Sequence, residues 1–134
     1  MLNEIASNVH ANSVKHGWWG YLAQKAKSSV PSDRTFGDII ALIHSEASEA
    51  LEQYRDGRAY DVVYWKFPNG EIRSVPEDEE RNPGKPEGIP IEFADIIIRV
   101  LDACAALGID IDKAMEIKMA YNRNVWLVHG GKRI

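Results

Sequence analysis

Two pairs of acidic residues, Glu46/Glu49 and Glu92/Asp95, lie three positions apart in segments that otherwise read as apolar helix. Residues three apart share a helix face, so each pair aims two carboxylates in one direction. Four carboxylates converging in a helical core repel one another, because like charges cannot all stay ionised once desolvated. The usual remedy is a hard divalent cation with oxygen ligands. A donor set without His or Cys favours Mg²⁺ or Mn²⁺ over zinc. Carboxylate-held Mg²⁺ keeps coordination positions for water and phosphate oxygens, which points to polyphosphate chemistry. A carboxylate not fully engaged by the ion would serve as general base.

An acidic pair at this spacing is, by itself, usually a solvated helix face. Glu92/Asp95 carries more weight, because its helix leaves little solvated surface and a charge kept there must be paired or metal-bound. The competing reading is a buried ion-pair network, with Arg99 and Lys118 as the cations. Lys118, Asn122 and Arg123 supply two cations and an amide that would hold phosphates beyond the reach of a metal; the plainer reading is ordinary surface charge. Trp18 and Trp19 would stack on a base, with core packing or a dimer contact as the plainer role for at least one of them. The four histidines, His10, His16, His44 and His129, are scattered and take no assigned role. Neither a P-loop nor a Rossmann glycine pattern is present.

Periodicity and capping residues define the elements that must position these groups. A first helix is expected over 2–16, with Gly17 as its stop. An aromatic hinge follows at 16–20, then a short helix over 21–27 and a loop over 28–33. A second long helix starts at a sequence resembling a capping box, Thr35-Phe36-Gly37-Asp38, and ends at Gly57. It carries the polar stripe Glu46, Glu49, Gln53 and Asp56. Residues 61–75 read as a hairpin around Pro68-Asn69-Gly70. Residues 76–90 hold four of the six prolines and read as an exposed, irregular loop. The whole stretch 61–90 is expected to be an insertion, too short to bury a core of its own. A third helix from Pro90 to Gly108 is apolar nearly all round, hence central. Its polar residues, Glu92, Asp95, Arg99 and Asp102, form one stripe. A fourth helix begins at Asp110 or Asp112 and runs to about Arg123, ahead of a mildly basic tail. The expected fold is therefore all-α: one domain over 1–134, a bundle of four main helices with a hairpin and proline-rich loop inserted.

The chain has 134 residues, 45% of them apolar, a length and composition that suit one cored domain. It contains no apolar run of the length a membrane span needs. A net charge of −4 argues against binding a nucleic-acid duplex through a broad basic face. The start lacks a signal-peptide pattern and the single Cys104 fits a small core residue, from which a cytoplasmic protein is expected. Four helices, one apolar on every side, leave excess apolar surface, and such surface usually marks an interface. A homodimer is expected by prevalence, with a homotetramer as the larger alternative.

Taken in order, Glu46-x-x-Glu49, Glu92-x-x-Asp95 and Lys118-x-x-x-Asn122 resemble the MazG-like nucleoside triphosphate pyrophosphohydrolases of the all-α NTP pyrophosphatase superfamily, which includes the dimeric dUTPases and phosphoribosyl-ATP pyrophosphatases. The stretches Ile43–Glu52, Gly88–Ile96 and Lys118–Arg123 strengthen the resemblance, which covers about residues 35–125. It implies an all-α bundle whose core is completed by a second subunit. It implies hydrolysis of a nucleoside triphosphate between the α- and β-phosphates to a monophosphate and pyrophosphate, in nucleotide-pool housecleaning. Glu46, Glu49, Glu92 and Asp95 would hold Mg²⁺, and Lys118 and Asn122 would touch the triphosphate. Two features depart from the simplest relatives: the lengthened gap between the acidic pairs, and the scarcity of cations in Asn124–Val128. An alternative of another class is a catalytically silent helical dimer that binds nucleotide or a protein partner through the hairpin. A ferritin-type di-metal bundle would need Glu-x-x-His pairs, and none exists here.

Overall fold

Capping and periodicity translate directly into helices. The computed structural model describes residues 1–19, 36–74 and 84–124. In chain order these hold α1 (Leu2–Lys15), α2 (Phe36–Arg55), β1 (Tyr64–Lys66), β2 (Ile72–Arg73), β3 (Lys85–Glu87), α3 (Ile89–Leu107) and α4 (Ile111–Asn124). The described residues are thus mostly helical, with one small sheet. The short helix expected at 21–27, the loop at 28–33, the cap at Thr35 and the basic tail lie outside the described residues. No described helix is long and apolar enough to cross a membrane.

The chain divides into two compact units, and α3 contributes to both. The first comprises the described residues within Met1–Asp33 and Leu101–Ile134. Its helices α1 and α4 cap each other. Asp112 accepts the backbone N–H of Leu2 at 2.9 Å and of Asn3 at 3.0 Å, satisfying amides that the start of α1 leaves open. Asn3 returns the interaction, accepting the Ile111 amide at 3.0 Å and donating to Asp110 at 2.8 Å. Asp110 in turn accepts the Lys113 amide at 3.0 Å, so it is the N-cap of α4. Gly17 closes α1 in the left-handed region, with φ 82°. Ala6, Trp19, Leu101, Ala103, Cys104 and Ala106 are buried here.

The second unit spans Arg34–Val100. It holds α2, the sheet and the first part of α3, with Ile39, Ala50, Phe67 and Ile89 buried. The expected hairpin is present: β1 pairs antiparallel with β2, Trp65 opposite Arg73 and Lys66 opposite Ile72. The Gly70 amide closes the turn on the Phe67 carbonyl at 2.8 Å.

The far end of the proline-rich stretch differs from the expectation of an exposed, irregular loop. Residues 85–87 form a third strand, β3, antiparallel to β1, and the sheet order is β2-β1-β3. Pro86 is tolerated because β3 is an edge strand, where a missing N–H need cost no ladder bond. Two glycines let the strand lie close. A Cβ on Gly84 would meet the Phe67 ring at 2.8 Å, and one on Gly88 would meet the Val62 carbonyl oxygen at 2.3 Å. Gly88 also has φ 123°, and its carbonyl accepts the Ile91 and Glu92 amides that open α3. The insertion therefore runs straight into the helix that carries Glu92 and Asp95.

Helix α3 was expected to be enclosed on every side. Its second half is, with Leu101, Asp102, Ala103 and Cys104 buried in succession, whereas its first half exposes Phe93, Ile97 and Ile98 on one side.

Candidate metal centre

Helix α2 supplies Glu46 and Glu49, and helix α3 supplies Glu92 and Asp95. The i, i+3 spacing puts each pair on one face, and the second unit brings the two faces together. Glu46, Glu92 and Asp95 each offer a carboxylate oxygen within 4.8 Å of the others. Glu46 is 6% exposed and Glu92 4% exposed. Glu49 is exposed, and its carboxylate is near enough to raise the Glu92 carboxyl. Three of the four acidic residues singled out from spacing therefore converge, and Glu49 stands at their margin.

Their electrostatics show the strain of that arrangement. Burial first, then the charge and hydrogen bond of Glu49, then Glu87 and Asp95, push the Glu92 carboxyl up to about 7. Burial and the Glu46 charge also raise Asp95, against the opposing pull of Arg99 and Lys85. Arg99 places Nε and Nη2 both at 2.5 Å from Oε1 of Glu46. The ion-pair reading is thus realised at Glu46, one helix away from the pair it was expected to serve. Among the described residues no cation forms a salt bridge with Glu49, Glu92 or Asp95.

The third strand adds groups that the acidic spacing did not indicate. Lys85 Nζ lies 3.0 Å from Oε1 of Glu87. Glu87 Oε2 accepts from Gln53 Nε2 at 3.4 Å, and Gln53 Oε1 accepts from the Tyr64 hydroxyl at 3.0 Å. This run of contacts ties β1, α2 and β3 together beside the acidic cluster. Gln53 stands in the α2 polar stripe, the one signal in the sequence that touches it.

The all-oxygen donor set suits a hard divalent cation: three carboxylates converge, and the most buried of them faces other carboxylates. Glu46, Glu92 and Asp95 would hold it, with Glu49 at the exposed margin.

The remaining residues singled out from sequence belong to the first unit. Lys118, Asn122 and Arg123 are exposed on α4, and the Lys118 ammonium sits 4.7 Å from the centre of the Tyr121 ring. Trp18 is exposed, whereas Trp19 is buried and donates Nε1–H to both Asp102 oxygens at 2.9 Å. Trp19 thus fills the core role anticipated for one member of the pair. Asp102 also accepts from Ser13 Oγ at 2.6 Å and meets His10 Nδ1 at 2.6 Å. The last acid of the α3 stripe is therefore satisfied within the first unit.

Compared with known proteins, the chain is 27% identical over 132 residues to the valine–tRNA ligases of Bifidobacterium longum strains DJO10A and NCC 2705. It is 26% identical over 132 residues to the valine–tRNA ligase of Bifidobacterium longum subsp. infantis. Each match covers 92% of this chain and 14% of the ligase, so the chain spans about one-seventh of the length of these curated relatives. No family model matches the chain. No solved structure matches it.

Proposed function

We propose that the protein is a Mg²⁺- or Mn²⁺-dependent nucleoside triphosphate pyrophosphohydrolase that releases a nucleoside monophosphate and pyrophosphate in nucleotide-pool housecleaning. The observation that carries this reading is the convergence of Glu46, Glu92 and Asp95 within 4.8 Å, two of them almost fully buried. So much negative charge out of water calls for a cation. The cleavage position, between the α- and β-phosphates, comes from the resemblance of the three motifs to MazG-like enzymes.

When bound, the ion would neutralise phosphate oxygens and lower the pKa of a coordinated water. The chain's own groups do the rest. Arg99 fixes Glu46, so that carboxylate is held in one orientation. Glu49, exposed and outside the converging three, is the carboxylate set to accept a proton from water. By the resemblance alone, Lys118 and Asn122 would touch the triphosphate. The protein acts as a cytoplasmic homodimer or homotetramer, in which exposed Phe93 and Ile97, one turn apart on α3, meet a second copy.

The second reading is a catalytically silent helical dimer that binds nucleotide or a protein partner. The two-point contact of Arg99 with Glu46 favours it, since that contact already neutralises one of the proposed ligands. Incubation with a panel of ribo- and deoxyribonucleoside triphosphates in Mg²⁺ separates the two. Monophosphate and pyrophosphate, absent with Glu49→Gln, are expected. Diphosphate and orthophosphate, or equal activity in the variant, would overturn the first reading; nucleotide binding without product would establish the second.

A further inference from the structure

We propose that Lys85, on the strand that closes the insertion, binds a phosphate of the polyphosphate substrate at the acidic cluster. The inference deepens the metal-site reading above and rests on it.

Among the described residues, Arg99 and Lys85 border the cluster, and the structure separates their roles. Arg99 is 22% exposed and meets one Glu46 oxygen through two nitrogens. Such a guanidinium is a fixed part of the wall. Lys85 is 72% exposed and holds Glu87 through a single contact of 3.0 Å. A single, solvated ammonium contact contributes little and exchanges readily. Glu87 does not depend on it, because Gln53 also donates to Glu87 and is itself held by Tyr64.

The backbone beneath Lys85 is firmly placed. Lys85 pairs with Lys66 across β1–β3, and the strand is locked at both ends by glycines that leave no room for a Cβ. Lys85 is seven positions before Glu92, and Gly88 joins the strand directly to the helix. Glu87, which Lys85 meets at 3.0 Å, also accepts from Gln53, and Gln53 stands one turn beyond Glu49 on α2, which puts the Lys85–Glu87 pair beside the acidic face. A polyphosphate brought to those carboxylates by a divalent ion carries several negative charges, against one on Glu87. The ammonium therefore leaves Glu87 for the phosphate. Glu87 is the resting partner that keeps Lys85 in place until then.

The test uses Mn²⁺ and inorganic tripolyphosphate as probes, measured calorimetrically on the full chain. Wild-type protein is expected to bind Mn²⁺, and then tripolyphosphate only with Mn²⁺ present. Lys85→Ala should keep or tighten Mn²⁺ binding but weaken tripolyphosphate about tenfold, with partial recovery in Lys85→Arg. Glu87→Gln should leave tripolyphosphate binding equal or tighter, since it removes the competing carboxylate. Unchanged tripolyphosphate affinity in Lys85→Ala overturns the proposal. So does equal weakening in Lys85→Ala and Glu87→Gln, which would mean the strand is only a scaffold. Wild-type binding of Mn²⁺ without tripolyphosphate overturns it while leaving the metal site standing. No Mn²⁺ binding at all removes the metal reading and this proposal together.

Discussion

Burial and the neighbouring Glu49 carboxylate hold Glu92 at a pKa of about 7, well above its ordinary 4.5. A carboxyl with a raised folded-state pKa stabilises the fold fully below its unfolded pKa. That contribution is lost as pH rises through the folded value. Without metal, thermal stability should therefore fall between about pH 5 and about pH 8, by up to about 3 kcal/mol for a shift of this size. Glu92→Gln should melt with a flatter pH profile, and Mn²⁺ should restore wild-type stability at the alkaline end, where a cation replaces the proton. Parallel profiles for wild type and variant would contradict this. At the same scale the sequence was informative about the acids and silent about their neighbours. Spacing put Glu46, Glu49, Glu92 and Asp95 on helix faces, and those faces meet. It could not say that Arg99 reaches Glu46 rather than its own helix's acids, because that choice depends on how two helices separated by the insertion approach each other.

Elements defined by local signals were legible, and those defined by distant pairing were not. The ends of α1, α2 and α4 follow from Gly17, Gly57 and Asp110, each acting within a turn of its own position. Strand β3 was hidden, because Lys85-Pro86-Glu87 has turn-like composition and becomes a strand only through pairing with β1, about twenty residues earlier. Its junction with α3 makes a sharp prediction. Gly88→Ala forces φ 123° on a residue with a Cβ and drives that atom into the Val62 carbonyl. It should cost at least about 2 kcal/mol and weaken Mn²⁺ binding. Gly57→Ala, also at positive φ but with open space around it, should cost only about 1 kcal/mol. Equal losses in chemical denaturation would show that the close approach is unimportant. In the first unit, Asp102→Ala strands the buried Trp19 N–H and the Ser13 hydroxyl. A loss of about 2–4 kcal/mol is expected, with Asp102→Asn milder; a neutral Asp102→Ala would contradict the assignment of that cluster as a structural anchor.

For the whole molecule, composition and periodicity supported a helical fold with a small inserted sheet, and the described residues have that character. An apolar helix such as α3 reads as buried all round, yet Phe93, Ile97 and Ile98 are exposed in the single chain. One chain's sequence records how much apolar surface must be covered and leaves open what covers it. We predict that a second copy does. Sedimentation should show at least a dimer, and Ile97→Glu should shift it toward monomer, since a charge at the centre of an apolar contact is left unpaired. A wild-type monomer at tens of micromolar would sink this expectation. The account as a whole depends on the acidic cluster holding a metal ion. The most direct test is Mn²⁺ titration calorimetry at about pH 8, above the Glu92 pKa of about 7, on wild type, Glu92→Gln and Asp95→Asn. The account predicts one saturable site in the wild type and at least about tenfold weaker binding in each variant, with helical content unchanged. Absence of binding in the wild type, or equal affinity in all three proteins, would contradict it.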